Sequence, residues 1–166
     1  MASGDNLQAA FAGESQANRK YLAFAKKAEA DGFAQVAKLF RAAAQAETVH
    51  AHAHLRVLGG VKDTATNLKV AIEGEGYEYR EMYPGFLATA RAEGNKPAEI
   101  TFRNALAVEE VHHGLYSRAL EAVQTATDLA AQPIFVCGVC GMTIEQGAPD
   151  KCPVCGAPKT SFSEIQ

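Results

Sequence analysis

Apolar side chains recur from Leu7 to Val123 at steps of three and four, the spacing that places them on one face of an α-helix. Four such stripes are separated by short breaks that contain glycine, which predicts four long helices of about 26 residues. We expect the first three at residues 5–30, 33–58 and 67–92, and a fourth that begins near Pro97 and reaches Val123. Helices of this length with short links favour an antiparallel four-helix bundle.

The composition changes near residue 132, where the helical pattern stops. Thirty of the 32 alanines lie at or before Ala131, whereas four of the six prolines and all four cysteines follow it. Alanine favours helix, and a short tail rich in proline, glycine and cysteine needs a staple such as a metal ion. We therefore expect a helical domain over residues 1–131 and a small metal-binding domain over residues 132–166.

Each predicted helix carries a glutamate near the middle of its apolar stripe. These residues are Glu14, Glu47, Glu75 with Glu78, and Glu109. Ionised glutamates are rarely buried unless they are paired or bound to a metal. Five of them in one core therefore indicate that cations lie between them.

The second and fourth helices add histidines to this pattern. Glu47 and His50, like Glu109 and His112, are three residues apart and share one helix face. Glu14 precedes Glu47 by 33 residues and Glu75 precedes Glu109 by 34, which indicates that the two hairpins form an internal repeat. Two single glutamates with two Glu-x-x-His pairs are the pattern of two-iron helical bundles. Such oxygen-rich donors favour iron or manganese over structural zinc.

The tail contains two Cys-x-x-Cys pairs, Cys137 with Cys140 and Cys152 with Cys155. In a reducing compartment such pairs indicate a four-sulfur metal site rather than disulfides, and zinc and iron both fit it. A glycine follows the second cysteine of each pair, which predicts tight turns whose backbone N–H groups point at the sulfurs.

Charge and hydropathy exclude several classes of partner. The net charge of −3 gives no basis for binding nucleic acid or an anionic membrane. No apolar run approaches the ~18 residues of a membrane span, and residues 1–13 lack the features of a secretory signal. We therefore expect a cytoplasmic protein.

Taken together, these features resemble the rubrerythrins over nearly the whole chain. The segments that carry the resemblance are FAGESQA (11–17), AETVH (46–50), EGEGYE (73–78), EMYP (81–84), EEVH (109–112) and CPVCGAPK (152–159). The resemblance implies an all-α four-helix ferritin-like bundle with a small C-terminal rubredoxin-like metal ribbon. It also favours iron over zinc in the four-cysteine site.

The resemblance assigns roles to individual residues. It implies that the ligands of the two irons are Glu14, Glu47, His50, Glu75, Glu78, Glu109 and His112, with His50 and Glu78 exchanging at one iron as the redox state changes. Tyr21 and Tyr83 match catalytic tyrosines that hydrogen-bond these ligands. The four cysteines match the ligands of a one-iron site, whereas His52, His54 and His113 match no ligand.

The implied activity is that of a non-haem peroxidase that reduces hydrogen peroxide to water in oxidative-stress defence. Electrons would pass from rubredoxin, or from an NAD(P)H-dependent rubredoxin reductase, through the one-iron site to the two irons. Two alternatives stay open: an oxygen-reactive di-iron oxidase or ferroxidase, and an iron-handling protein with a structural zinc ribbon. Zinc also fits either site.

The length of one link bears on assembly. In ferritin-like bundles the second and third helices run parallel, so the link between them must cross a helix length of ~39 Å. The eight residues 59–66 reach at most ~29 Å. We therefore expect a domain-swapped homodimer, with an up-down-up-down bundle as the alternative. We also expect the ribbon to lie too far from its own chain's two-iron site, so that electrons cross between subunits.

Overall fold

The computed structural model describes residues 2–166, so that only Met1 of the predicted helical domain lies outside it. The chain forms two compact units, one up to Lys62 and one from Asp63 onward. The first contains α1 (Ala2–Ala30) and α2 (Ala34–Val57). The second contains α3 (Thr64–Tyr77), a π-helical turn (Glu78–Met82), α4 (Tyr83–Ala92), α5 (Lys96–Gln124), β1 (Ile134–Cys137), β2 (Thr143–Glu145), a 3₁₀ turn (Lys159–Ser161) and β3 (Phe162–Ile165). Along residues 2–166, no helix has both the length and the apolar character needed to cross a bilayer.

A seam of small side chains joins α1 to α2. The buried residues of this hairpin are all alanines: Ala25, Ala28, Ala37, Ala44 and Ala51. Because alanine side chains are short, the two helix backbones can pack closely along this seam. The larger apolar side chains remain accessible, with Phe33 61% and Leu39 69% exposed.

The break between α1 and α2 is a glycine cap. Gly32 adopts a φ of +85°, a left-handed conformation that glycine adopts without steric cost. Phe33 N–H then donates to the Ala28 carbonyl at 2.8 Å, which satisfies an acceptor at the end of α1. The predicted stop at this position is therefore confirmed.

The prediction of one continuous third helix over residues 67–92 is wrong, because the structure divides it. Asp63 accepts a hydrogen bond from Thr66 N–H at 2.9 Å and caps α3, so the helix begins at Thr64. Pro84 has no N–H and cannot form the regular α-helical bond to the Arg80 carbonyl. A π-turn from Glu78 to Met82 precedes it and separates α3 from α4.

The C-terminal ribbon is a three-stranded antiparallel sheet in which β1 lies between β2 and β3. Cys137 ends β1, and Cys140 lies in the turn that leads to β2. Cys152 N–H donates to the Ala157 carbonyl at 2.8 Å, which forms the second cysteine turn. The sheet thus positions both cysteine pairs on short, hydrogen-bonded turns.

Candidate metal centres

The first unit brings Glu14 of α1 together with Glu47 and His50 of α2. One ligand atom from each residue lies within 4.8 Å of the others, close enough for all three to hold one metal ion. His50 Nδ1 lies 2.9 Å from Glu47 Oε2, as expected for residues three apart on one helix face. The side chain of His50 is 55% exposed and that of Glu47 only 18%, so the histidine forms the accessible edge of this cluster.

Asn18 fixes the position of α1 against α2 beside this cluster. Its side-chain amide donates to the Ala44 carbonyl at 2.7 Å and to Thr48 Oγ1 at 2.8 Å. The two acceptors flank Glu47 on α2, and Asn18 lies one turn beyond Glu14 on α1. These bonds therefore help to bring the two glutamates together. The sequence does not reveal this role, because it shows Asn18 only as a polar residue on an apolar stripe.

The second unit builds a cluster of the same composition from Glu75 of α3 and Glu109 and His112 of α5. His112 Nδ1 lies 2.9 Å from Glu109 Oε2 and 3.9 Å from Glu75 Oε1. All three side chains are largely shielded, with exposures of 17–25%. Six of the seven predicted two-iron ligands thus lie in two matching clusters.

The carboxylates of the second cluster repel one another when no cation lies between them. Burial and the neighbouring Glu109 carboxylate raise the pKa of Glu75. Burial also raises the pKa of Glu78, and the charge of Glu75 adds to the effect. Glu78, the seventh predicted ligand, is therefore near Glu75, although it belongs to neither three-residue cluster of the described chain. A divalent ion would remove this repulsion, so the donor set fits a metal.

The π-turn decides which side chain follows Glu78 on the face of the second cluster. Steps of three and four place Met82 there, but Tyr83 N–H bonds the Glu78 carbonyl five residues earlier. Burial raises the pKa of Tyr83, and the charges of three glutamates, of which Glu78 contributes most, raise it further. The phenol therefore lies near the carboxylates and keeps its proton at neutral pH.

The two hairpins share a common arrangement of aromatic rings and metal-binding side chains. Each contains three aromatic rings with centroids 5.5 to 6.3 Å apart, Tyr21, Phe24 and Phe40 in the first and Tyr83, Phe86 and Phe102 in the second. Each second ring lies 62 residues after its counterpart, as His112 does after His50. Glu75, however, lies only 61 residues after Glu14. The second hairpin therefore has one extra residue between its glutamate and its tyrosine, and the π-turn accommodates it.

The ribbon gathers all four cysteines into one cluster. Cys137 Sγ lies 3.8 Å from Cys155 Sγ, and Cys140 Sγ lies 3.5 Å from Cys152 Sγ. Four sulfurs placed tetrahedrally ~2.3 Å from a metal are ~3.8 Å apart. The spacing of the thiols therefore fits a tetrahedral metal ion.

Backbone N–H groups point at these sulfurs, as the glycine positions predict. Gly141 and Gly156 adopt φ values of +84° and +76° and close the two turns. Burial would raise the pKa of Cys152, but N–H groups of its own turn donate to the sulfur, and the pKa is lowered to about 7. At Cys140, burial outweighs the bond from Met142 N–H, and the pKa is raised to about 12. The four thiols are thus unequal before any metal binds.

The ribbon contacts α5 beside the second cluster. Thr143 Oγ1 on β2 lies 2.9 Å from His112 Nε2, and Arg118 of α5 forms an ion pair with Glu145 of β2. The expectation that the ribbon lies far from the metal ligands of its own chain is therefore wrong for the second hairpin. The reason is that β2 contacts His112 and Arg118 within α5 and does not lie beyond the end of this helix at Gln124. No motif in the sequence points to Thr143.

The three remaining histidines contribute to neither metal cluster of the described residues. His52 is exposed, and His54 is half-buried. His113 is half-buried as well and packs edge-on against Tyr79, with ring centroids 5.4 Å apart. His113 therefore packs against an aromatic ring and does not join a metal cluster of the described residues.

Comparison with known proteins connects the helical clusters to the four-cysteine ribbon. A family model described as rubrerythrin matches residues 5–120. The chain belongs to the rubrerythrin family. A second model, described as the rubredoxin-like domain of rubrerythrin, matches residues 135–163 and thus covers the ribbon.

Individual relatives match nearly the whole chain. Rubrerythrin-2 of Clostridium acetobutylicum is 34% identical over 95% of this chain and 94% of its own length. Nigerythrin of Nitratidesulfovibrio vulgaris is 35% identical over 96% of this chain and 84% of its own. A solved structure of fully reduced, all-ferrous nigerythrin matches with a TM-score of 0.58 and 32% identity, covering 98% of this chain and 86% of that one.

Membership of the rubrerythrin family confirms several of the sequence predictions. The architecture is ferritin-like helices followed by a rubredoxin-like ribbon. The cofactor is iron, with a carboxylate–histidine site for a pair of ions and a four-thiolate site for one, and both donor sets of this chain fit it. The chain is a di-iron protein of oxidative-stress defence with oxidoreductase chemistry of the peroxidase type.

Proposed function

We propose that this protein is a non-haem di-iron peroxidase that reduces hydrogen peroxide to water. The observation that carries the proposal is the pair of matching Glu–Glu–His clusters, one in each unit, together with a four-thiol ribbon whose Thr143 contacts His112 of the second cluster. The clusters together would hold two irons, with Glu78 as the seventh ligand, exchanging with His50. The helical domain would span residues 1–131 and the iron ribbon residues 132–166.

The chain's own residues would supply protons to the substrate. When two ferrous ions are bound, they supply the two electrons that, with two protons, convert hydrogen peroxide into two water molecules. Tyr83 holds its proton beside the carboxylates, because burial and nearby charge raise its pKa. Glu78, whose pKa burial raises as well, is a second group able to hold a proton there. Tyr21 occupies the corresponding place in the first hairpin.

The four-cysteine site would return electrons to the helical site one at a time. Its donor would be rubredoxin or an NAD(P)H-dependent rubredoxin reductase. The contact between Thr143 and His112 supports transfer toward the second hairpin of the same chain. The four cysteines are free thiols, which fits a reducing compartment, and we place the protein in the cytoplasm.

Rapid mixing of the reduced protein with hydrogen peroxide, and separately with oxygen, tests the activity. We expect peroxide to oxidise the protein much faster, and elemental analysis to find three irons per chain. Equal rates would favour the oxidase alternative, and zinc in the ribbon would favour the iron-handling one. Cys152→Ser should permit one oxidation by peroxide but abolish repeated turnover, because electrons can no longer enter through the ribbon.

We also propose that the protein is a domain-swapped homodimer. The six residues between α2 and α3 reach at most about 22 Å, which is less than the ~36 Å length of α2. This link is even shorter than the sequence predicts, because α3 begins at Thr64. One chain therefore cannot place α2 and α3 parallel and side by side, whereas two chains can exchange hairpins.

Complementation of two inactive variants tests the swap. Glu47→Gln disables the first hairpin and Glu109→Gln the second. In a swapped heterodimer, one of the two sites combines both intact hairpins. Because about half of the dimers formed from an equal mixture are heterodimers, refolding should restore about a quarter of the parent's sites. In an unswapped dimer each site keeps one defect, and the mixture would stay inactive, which would refute the swap without affecting the peroxidase proposal.

A further inference from the structure

The imidazole of His112 joins the ribbon to the second metal cluster. Its Nδ1 faces the carboxylates, 2.9 Å from Glu109 Oε2 and 3.9 Å from Glu75 Oε1. Its Nε2 lies 2.9 Å from Thr143 Oγ1. One ring nitrogen thus faces the metal cluster, and the other contacts the hydroxyl of Thr143 in the ribbon.

The hydroxyl of Thr143 has a second partner for its single proton. The Gly141 carbonyl lies 3.2 Å from Thr143 Oγ1 and can accept that proton. Oγ1 is then free to accept a hydrogen bond from His112 Nε2–H. A neutral imidazole carries one proton, so this tautomer leaves a lone pair on Nδ1, on the side of the carboxylates. Histidines that bind metals ordinarily donate their other N–H to such an acceptor.

The surrounding fold holds this hydroxyl in place. Gly141 adopts its left-handed φ directly after Cys140, which orients the carbonyl that accepts from Thr143. A side chain at Gly141 would begin 3.7 Å from Val108, a residue of α5 that is 2% exposed. The ion pair between Arg118 and Glu145 attaches β2 to α5 a second time. The Thr143 hydroxyl is therefore anchored on both sides of its contact with His112.

We propose that Thr143 is a positioning residue, whose hydroxyl holds His112 in the tautomer that binds metal through Nδ1. The inference rests on the proposed two-iron site, because it requires His112 to be a ligand. It adds a side chain of the ribbon to a site whose ligands all come from the helices. The ribbon thereby orients a ligand of the site to which it would pass electrons.

Three variants separate the hydroxyl from the rest of the side chain. Thr143→Val removes the hydroxyl and keeps the shape, and Thr143→Ser retains the hydroxyl. Thr160→Val makes the same change at an exposed threonine of the ribbon and serves as the matched control. All are made in the full chain, with the four-cysteine site already filled with zinc.

Zinc titration of the helical site, followed by calorimetry, is the first measurement. We expect Thr143→Val to bind zinc 10–100-fold more weakly, the usual effect of removing a partner of a ligating histidine. Thr143→Ser and Thr160→Val should bind as the parent does. Unchanged affinity in Thr143→Val would overturn the proposal, and so would an equal loss in Thr143→Ser.

Nitrogen-15 spectra of the histidine rings, recorded without metal in the helical site at about pH 8, are the second measurement. We expect the Nε2 resonance of His112 to move in Thr143→Val and to return in Thr143→Ser. If the parent binds no zinc through His112, the proposed two-iron site fails, and these spectra still test the hydrogen bond. An identical Nε2 resonance in parent and Thr143→Val would overturn the positioning role.

Discussion

Glu75→Gln keeps the shape of the side chain and removes one of the carboxylates that crowd His112. In the folded protein, burial and Glu109 raise the pKa of Glu75 above 4.5, and burial and Glu75 raise that of Glu78. At these two groups the folded chain therefore binds more protons than the unfolded chain between the ordinary and the raised pKa values. Their contribution to the free energy of unfolding is greatest below the ordinary values and is lost as the pH rises through the raised ones.

The size of this effect follows from the number of protons involved. Each raised carboxyl group changes the free energy of unfolding by at most ~1.4 kcal/mol per pH unit, and so the two together by at most ~2.8 kcal/mol per unit. Glu75→Gln removes one of these contributions and reduces that of Glu78. We expect the pH slope to fall by at least about half, and the metal-free variant to exceed the parent in stability above the raised pKa values.

Urea unfolding of the chelator-treated protein, followed by circular dichroism from about pH 5 to about pH 8, measures this slope. Glu73→Gln is the control, because it makes the same change at an exposed position of the same helix. If Glu75→Gln is no more stable than the parent at the upper end of this range, burial and the neighbouring charges do not penalise the ionised Glu75, and this reasoning is wrong. With ferrous iron present, we expect the parent to be more stable than Glu75→Gln, because the parent binds the metal more tightly.

Three further substitutions test separate parts of the structure. Asn18→Ala removes two hydrogen bonds and should lower the free energy of unfolding by about 1–3 kcal/mol in urea titrations, whereas Gln16→Ala, at an exposed position of α1, should not. Asn95→Ala removes the cap of α5, whose Oδ1 accepts from Ala98 N–H, and should cost about 1 kcal/mol in thermal unfolding, with Asn95→Ser close to the parent. Cys152→Ser should lose the metal of the ribbon, by elemental analysis, and retain iron in the helices.

Most of the helical architecture was predictable because its signals are local. High alanine content favours helix, and Gly32 and Gly94, both with positive φ, end helices where the apolar stripes stop. The glutamates and histidines of the two clusters were predictable for the same reason. A residue three positions away on a helix always shares its face, so Glu47 with His50 and Glu109 with His112 needed no tertiary information.

The remaining features depend on contacts that spacing does not encode. A count in steps of three and four selects Met82, but the π-turn places Tyr83 next on that face. Thr143 is an ordinary strand residue by sequence, and only the packing of the ribbon on α5 brings it to His112. Asn18 was visible as a polar residue on an apolar stripe, yet its partners lie on another helix.

The single residue added by the π-turn makes the two carboxylate–histidine clusters chemically unequal. Glu78 lies in the added turn, and the first hairpin has Gln16 and Ala17 at the corresponding places, neither of which is a carboxylate. Deleting one residue from this turn would make the hairpins equal in length, because the tyrosine would then follow Glu75 by seven residues, as Tyr21 follows Glu14. An insertion of one amino acid therefore distinguishes two sites that a duplicated hairpin would otherwise make alike.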